Sequence, residues 1–324
     1  MKEDWVRRVT AWLCRAVCER SRGSSEVVII GVDCSVQKDQ TGYARAVANR
    51  EENTCTLECV NTGTDCEVFR KPLGEWFKNE DRPLLLALDV PLGWPLCFRV
   101  GIGRHTAGFP LSGFDLRAPD DFFLRQTDHD IKGRTAITRN PKNPKSVAAD
   151  WIARTAAGTL DLLARIRKEA QEHLPLAWNP EEAGRNGSRS MIEVYPAATL
   201  ALTLEKKLPH SYRDSKGKDR SEIRGQLARG LVSGLPKEPK DPYSVRGPRL
   251  KALPTKAQGH LDKMKETEHA LDSVICVLAA WHFLQHKAKG PCEGQRSLAR
   301  QEGWIWAFNP TKPECSDSGT SEVR

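Results

Sequence analysis

The 324-residue sequence predicts an α/β fold built on a mixed β-sheet. Two apolar runs, over residues 27–33 and 83–89, have the composition of buried central strands, and each ends on an aspartate, Asp33 and Asp89. Two further strand patterns and one helical pattern lie between them, in the order β-β-β-α-β. A carboxylate at the end of a buried strand is costly to desolvate unless a cation lies opposite, so both aspartates are candidate site residues.

The remaining elements follow from periodicity and from turn residues. Residues 1–25 predict an amphipathic helix because arginines interrupt their apolar positions, and the polar residues 311–324 predict a disordered tail. One domain is expected over residues 26–310. The predicted strands cover residues 27–33, 42–49, 54–61, 83–89, 191–196 and 303–308. The predicted helices cover residues 66–79, 118–127, 150–173 and 261–286.

Composition narrows the class of protein. Hydrophobic residues make up 39% and charged residues 28%, as in soluble globular proteins, and no apolar run is long enough for a transmembrane helix. The ten cysteines are scattered without a C-x-x-C pair, which favours reduced cysteines in a cytoplasmic protein over a structural zinc site. A membrane partner is not expected, and a homodimer is left open.

The net charge of +8 is concentrated in one segment. Residues 205–260 contain fourteen Lys or Arg against six Asp or Glu, which accounts for the whole excess, and five prolines over residues 236–254 predict much loop. Such a region is consistent with a polyanionic partner such as DNA or RNA, although a solvated loop is an equal alternative. The predicted phosphate contacts are Lys206, Lys207, Arg213, Lys216, Lys218, Arg220 and, outside the segment, Arg125. Arg125 could instead form a local turn and helix cap with Asp128.

A third carboxylate comes from the helix near the C-terminus. His269 and Asp272 are three residues apart on one helical face, and Asp272 opens a stretch otherwise suited to burial. The predicted site therefore combines Asp33, Asp89 and Asp272 with His269, and Glu193 is a further candidate. Clustered carboxylates repel one another unless a cation such as Mg²⁺ or Mn²⁺ binds between them. Each aspartate could alternatively be only a turn former or a cap. His269 could be a surface histidine, and Glu193, just before a proline-started helix, could be structural.

The order β-β-β-α-β matches the opening of the ribonuclease H-like fold, a five-stranded mixed sheet flanked by helices. In that topology the fourth strand lies parallel to the first and beside it, so Asp33 and Asp89 would be neighbours. Residues 30–35 followed by residues 41–44 resemble the first hairpin of RuvC-type resolvases.

The wider set of motifs resembles a predicted ribonuclease H-like nuclease family catalogued as domain of unknown function 429. The matching motifs are Leu88-Asp89-Val90-Pro91-Leu92-Gly93, Arg125-x-Thr127-Asp128, Glu193-Val194-Tyr195-Pro196, Ser211-Tyr212-Arg213 and His269-x-x-Asp272. The resemblance as a whole spans residues 27–310, with two departures: Cys34 replaces the usual glycine after the first aspartate, and the turn over residues 36–40 is expanded.

The resulting hypothesis is a metal-dependent nuclease or phosphodiesterase that acts on nucleic acid. Two alternatives come from other classes of protein. One is a nucleic-acid-binding module whose site is vestigial. The other is a phosphotransferase of the actin and sugar-kinase type, which shares the sheet, although the sequence has neither the second glycine-rich phosphate loop nor the adenosine-binding glycine pair of that class.

Overall fold

The fold is taken from a computed structural model of the chain. It describes residues 24–35, 41–63, 66–111, 113–115, 117–171, 173–207, 212–213, 220–237 and 242–310. The predicted N-terminal helix, except for its last two residues, and the predicted disordered tail lie outside the described residues.

A seven-stranded mixed sheet forms the centre of the fold. Its strands are β1 (Glu26–Asp33), β2 (Thr41–Asn49), β3 (Thr54–Gly63), β4 (Leu84–Asp89), β5 (Arg189–Glu193), β6 (Val232–Ser233) and β7 (Leu250–Ala252). They lie in the order β5-β4-β1-β2-β3-β7-β6. The prediction of five strands was therefore too low, because the basic segment, which we expected to be mostly loop, supplies β6 and β7 at one edge.

The predicted pairing of the two aspartate-ending strands is confirmed. β1 and β4 are parallel neighbours, and their register aligns Val28 with Leu84 and, five residues on, Asp33 with Asp89. β1, β2 and β3 form an antiparallel meander, and β5 lies parallel to β4 on its other side. The two carboxylates are consequently presented at the same edge of the sheet.

Helices cover both faces of this sheet. They are α1 (Cys66–Asn79), α2 (Leu96–Gly103), α3 (Pro119–Phe123), α4 (Gln126–Ala136), α5 (Asp150–Ala170), α6 (Pro180–Ala183), α7 (Pro196–Thr203), α8 (Arg220–Leu231), α9 (Ala257–Glu266), α10 (Glu268–Leu284) and α11 (Arg296–Glu302). Two short strands, β8 (Ala288–Lys289) and β9 (Ala307–Phe308), pair with each other. None of the helices in the described part of the chain combines the length and apolar character needed to cross a membrane.

The alternation of side chains along β1 divides the core into two layers. Val27 and Ile29 pack in the layer that contains α10, whereas Val28 and Ile30 pack in the layer that contains α1 and α5. All four side chains are fully buried. A central strand covered on both faces explains why β1 is a continuous apolar run instead of an alternating one.

The helix predicted over residues 261–286 is in fact two helices, α9 and α10, separated at Thr267. Thr267 has extended backbone angles, and its side chain accepts a hydrogen bond from the backbone N–H of His269 at 3.2 Å. This is an N-cap, which satisfies one of the free N–H groups at the start of α10. The predicted helix over residues 118–127 is similarly divided into α3 and the start of α4, with Arg125 in an extended conformation between them.

Two glycines allow α10 to lie directly against the β1–β2 hairpin. A Cβ at Gly31 would overlap the carbonyl oxygen of Ser273, and a Cβ at Gly42 would overlap the carbonyl of His269. Side chains at these positions would push the first turns of α10 away from the sheet. The glycines therefore set the distance between α10 and the end of β1.

We expect Gly42→Ala to reduce stability, because the added methyl group must displace backbone atoms of α10. Overpacking of this kind costs about 1–3 kcal/mol. Gly133→Ala is the matched control, since Gly133 lies on exposed α4 with no atom near an added Cβ, and helix propensity predicts a gain of about 0.5–1 kcal/mol there. Urea denaturation at one pH measures both. Equal stability of Gly42→Ala and the wild type would contradict the close approach of α10.

We also expect the protein to become less stable as the pH is lowered, because His282 is fully buried in α10. Burial lowers the pKa of His282 to about 3 from its usual 6.5. As the pH falls below 6.5, the unfolded chain takes up a proton that the folded state does not, so the free energy of unfolding decreases by up to about 1.4 kcal/mol per pH unit.

Comparison of the wild type with His282→Gln at pH 7 and pH 5 isolates this contribution. Glutamine keeps an N–H donor for the carbonyl of Pro248, which lies 3.3 Å from Nε2 of His282. The wild type should lose more stability than the variant between the two pH values. An equal loss in both proteins would show that His282 is not held neutral.

Candidate metal centre

Three aspartates from three separate elements meet at one end of the sheet. Asp33 ends β1, Asp89 ends β4, and Asp272 lies in the first turns of α10. One carboxylate oxygen from each lies within 4.8 Å of those from the other two. Asp33 and Asp272 are 8% and 2% exposed, so the charges are largely removed from water. The predicted convergence of these three residues is present in the structure.

His269 joins this cluster through Asp33. Its Nδ1 lies 2.6 Å from Oδ2 of Asp33, which is hydrogen-bonding distance. Burial lowers the pKa of His269, but the hydrogen bond and the charge of Asp33 outweigh this effect, so that the pKa is raised above its usual value. The imidazole lies at the rim of the cluster, and its Nδ1 is hydrogen-bonded to the carboxylate of Asp33.

Two residues of the predicted Ser-Tyr-Arg motif bind Asp272. The hydroxyl of Tyr212 donates to Oδ1 of Asp272 at 2.6 Å, and the guanidinium of Arg213 lies 2.5 Å from Oδ2. Arg213 also lies 3.7 Å from Asp89. Asp272 is therefore oriented from both oxygens, and Arg213 is the cation that balances part of the negative charge of the cluster.

The cluster remains short of positive charge in spite of Arg213. Burial raises the pKa of Asp272 to about 6, although Arg213 opposes the shift. Burial, followed by the charge of Asp33, raises the pKa of Asp89 well above its usual value. Carboxylates in this situation are stabilised in their charged form by an additional cation. Hard divalent cations prefer oxygen ligands, so this group of three aspartates could hold a metal ion of that class.

Glu193 is not part of the carboxylate cluster. Both of its oxygens accept hydrogen bonds from Arg125, at 2.7 and 2.8 Å, and one also accepts the backbone N–H of Leu92 at 3.0 Å. Burial raises the pKa of Glu193, and Arg125 opposes that effect. Glu193 thus ties β5 to the loop that follows Asp89.

Arg125 lies at the centre of this buried network, 2% exposed. Its guanidinium donates to both oxygens of Asp128, to both oxygens of Glu193 and to the backbone carbonyl of Glu302. Every N–H group is directed at a protein oxygen, which argues against the phosphate contact predicted for Arg125. The alternative prediction, a local turn and cap with Asp128, is confirmed, because Oδ2 of Asp128 accepts the backbone N–H of Arg125 at 2.9 Å just before α4 begins.

The other residues predicted to contact phosphate differ in their exposure and position. Lys206 and Lys207 are exposed after α7, and Arg220 is partly buried at the start of α8. Lys216 and Lys218 lie outside the described residues. Arg213 binds the carboxylate cluster, so its predicted contact with a phosphate would place that phosphate next to the three aspartates.

A cavity of about 360 Å³ opens beside the cluster. Asp89 and Arg213 form part of its wall, and Trp151 and Lys145 lie at its exposed side.

Sequence reasoning did not select Trp151 or Lys145, because a tryptophan in an amphipathic helix is usually part of the core. It also did not give Tyr212 a role, although the motif contained it. The one available signal for Tyr212 was its position beside Arg213 in that motif.

Fold and site together define a mixed α/β protein with a buried carboxylate cluster at the ends of its central strands. A family model described as "Protein of unknown function (DUF429)" matches residues 31–295, and the chain belongs to this family. Among the curated proteins and the solved structures, nothing matches the chain.

We expect Arg125→Met to be strongly destabilising, because it leaves Glu193 and Asp128 buried without a cation. Loss of one partner from a buried ion pair costs about 3–5 kcal/mol. Arg117→Met is the matched control: its ion pair with Asp115 is exposed, and such pairs contribute about 0–1 kcal/mol. Chemical denaturation measures both variants. Unchanged stability of Arg125→Met, combined with weaker nucleic-acid binding, would restore the phosphate-binding prediction.

Proposed function

We propose that this protein is a metal-dependent phosphodiesterase of the ribonuclease H-like type that hydrolyses nucleic acid. The observation that carries the proposal is the meeting of Asp33, Asp89 and Asp272, with carboxylate oxygens within 4.8 Å of one another. A cluster of aspartates supplies oxygen ligands for the pair of divalent cations that two-metal phosphodiester hydrolysis uses. The parallel pairing of β1 and β4 beside an antiparallel meander supports the fold assignment.

In this proposal Asp33, Asp89 and Asp272 hold Mg²⁺ or Mn²⁺. A bound divalent cation supplies Lewis acidity, which lowers the pKa of water and neutralises charge on a phosphate. Tyr212 orients Asp272 through a hydrogen bond of 2.6 Å, as outer-sphere partners of metal ligands do. The three carboxylates come from rigid strands and a packed helix, so their mutual geometry does not depend on loops.

His269 is the candidate for proton transfer. When Nδ1–H donates to Asp33, Nε2 is the ring nitrogen left to accept or release a proton. Its side chain is 23% exposed, so a group in the solvent-facing part of the site can approach it. Glu193 takes the role of a positioning residue, because it holds Arg125 and the backbone of Leu92 beside the end of β4.

Nucleic acid is the proposed substrate because of the position of the basic groups. Arg213 lies against Asp272 at the edge of the cavity, where a phosphate oxygen could replace a carboxylate as its partner. Lys142 lies close enough to Arg213 that burial and the guanidinium charge lower the pKa of Lys142. Lys206 and Lys207 add exposed charge near Asn140, whose side chain donates to the carbonyl of Lys206 at 3.3 Å. Such contacts predict salt-dependent binding.

The test is cleavage of labelled oligonucleotides, with single- and double-stranded DNA and RNA offered in parallel and with Mn²⁺, Mg²⁺ or EDTA. Asp33→Asn and Asp272→Asn should each reduce the cleavage rate by more than about a hundredfold, because loss of a metal ligand exceeds the cost of about 10–100-fold seen for outer-sphere partners. Asp262→Asn makes the same charge change on the exposed face of α9 and should cleave normally.

Metal binding is measured on the same proteins by titration calorimetry with Mn²⁺. The wild type and Asp262→Asn should bind the ion, and Asp272→Asn should bind it much more weakly. Cleavage that is equal in all variants or insensitive to EDTA would refute the proposal. Salt-dependent nucleic-acid binding without cleavage would instead indicate a binding module with a vestigial site.

A further inference from the structure

The cavity beside the three aspartates is lined on one side by residues of the carboxylate cluster and on the other side by exposed residues. On the inner side are Asp89 and Arg213, which belong to the carboxylate cluster. On the outer side are Trp151, Lys145 and Asn143. Its volume of about 360 Å³ lies within the range of about 300–1,000 Å³ found for small-molecule sites. A ligand that fills it would touch the cluster and the outer side at once.

Trp151 stands out among the tryptophans of the described residues. It is 60% exposed, whereas Trp281, Trp304 and Trp306 are nearly fully buried. Tryptophan loses a large hydrophobic contribution when its ring is left in water. The guanidinium of Arg154 lies 5.7 Å from the ring centroid, and Arg154 is itself held by Asp150 at 2.6 Å. The ring is therefore presented to solvent by a rigid helix start and not by a loop.

The charges around the cavity suit a nucleotide. Lys145 is exposed on its outer side and Arg213 lies on its inner side, so phosphates could be bound at either end. The carboxylates of Asp128 and Glu193 at the inner wall both bind the guanidinium of Arg125, which offsets one of their two negative charges. Asn143 also lines the cavity, and its amide offers both a hydrogen-bond donor and an acceptor.

We propose that this cavity holds one unpaired nucleobase, which stacks on Trp151, while the adjoining phosphate lies beside Arg213, next to the aspartate cluster. This inference rests on the proposed function and names its substrate class: single-stranded nucleic acid, or a nucleotide displaced from a duplex. A base inside a duplex is stacked and paired on all sides, so it cannot enter a cavity of this kind without being flipped out. Aromatic platforms beside a basic groove are the means by which single strands are bound.

Binding of fluorescent 12-mers tests the proposal, with anisotropy measured in Ca²⁺. The probes are oligo(dT), oligo(rU), a DNA duplex, and an abasic chain that has the phosphates without bases. Single strands should bind more tightly than the duplex and the abasic chain. Trp151→Ala should weaken single-strand binding by roughly 5- to 150-fold, as expected for loss of one base-stacking contact, and Trp151→Phe should retain most of it.

Phe109→Ala is the matched control, because Phe109 is an aromatic residue that is 69% exposed and does not line the cavity. It should bind every probe like the wild type. Thermal melting checks that Trp151→Ala is folded, which its exposed position predicts. The comparison of oligo(dT) with oligo(rU) distinguishes DNA from RNA as the source of the base.

Three results would each overturn the inference: equal binding of single strands and duplex, equal binding of the abasic chain, or wild-type binding by Trp151→Ala. These results are independent of the proposed hydrolysis, which is judged by Mn²⁺-dependent cleavage and by Asp33→Asn. A protein that cleaves but fails these binding tests keeps the proposed function and loses the base-binding cavity. A protein that stacks bases through Trp151 but does not cleave keeps the base-binding cavity and loses the proposed function.

Discussion

The packing of α10 against the β1–β2 hairpin is the contact on which the rest of the site depends. Gly31 and Gly42 let the helix backbone touch the strands, and this brings Asp272 within reach of Asp33 and Asp89. The same helix is almost fully buried along its length, so the position of the carboxylate is fixed by the core of the protein. A site that belongs to the core can tolerate the repulsion between buried charges, because the free energy of packing holds them together.

Two buried charge systems lie side by side at this end of the sheet, and they differ in how many carboxylates share one guanidinium. In the first, Arg125 meets Glu193 and Asp128 with every donor used, which makes a closed structural network. In the second, Asp33, Asp89 and Asp272 share Arg213 and the imidazole of His269, and the pKa of Asp272 is still raised to about 6, mainly by burial. Carboxylates with perturbed pKa values beside a cavity mark candidate functional sites, and structural ion-pair networks such as that of Arg125 perturb pKa values as well.

Much of the fold followed from local patterns. The apolar runs ending at Asp33 and Asp89 predicted two buried strands, and the topology matched by the element order predicted that they are parallel neighbours, as observed. The spacing of His269 and Asp272 predicted a shared helical face, and both side chains do meet the cluster. The prediction was weaker where a single residue breaks a pattern. Thr267 divides a continuous helical periodicity because its side chain caps α10, and a periodicity count does not register a cap. The short strands β6 and β7 were missed because two or three residues carry too little pattern.

The sequence by itself determined which residues are candidates, since an aspartate after a buried strand is costly and therefore marks a place where a cation is needed. It did not determine which charges pair. Arg125 and Arg213 have the same side chain and both occur beside an acidic motif, yet only the tertiary structure directs Arg125 to Glu193 and Arg213 to Asp272. Pairing depends on distances between elements far apart in the chain, and those distances are set by packing, such as the contact at Gly42, that no local pattern encodes.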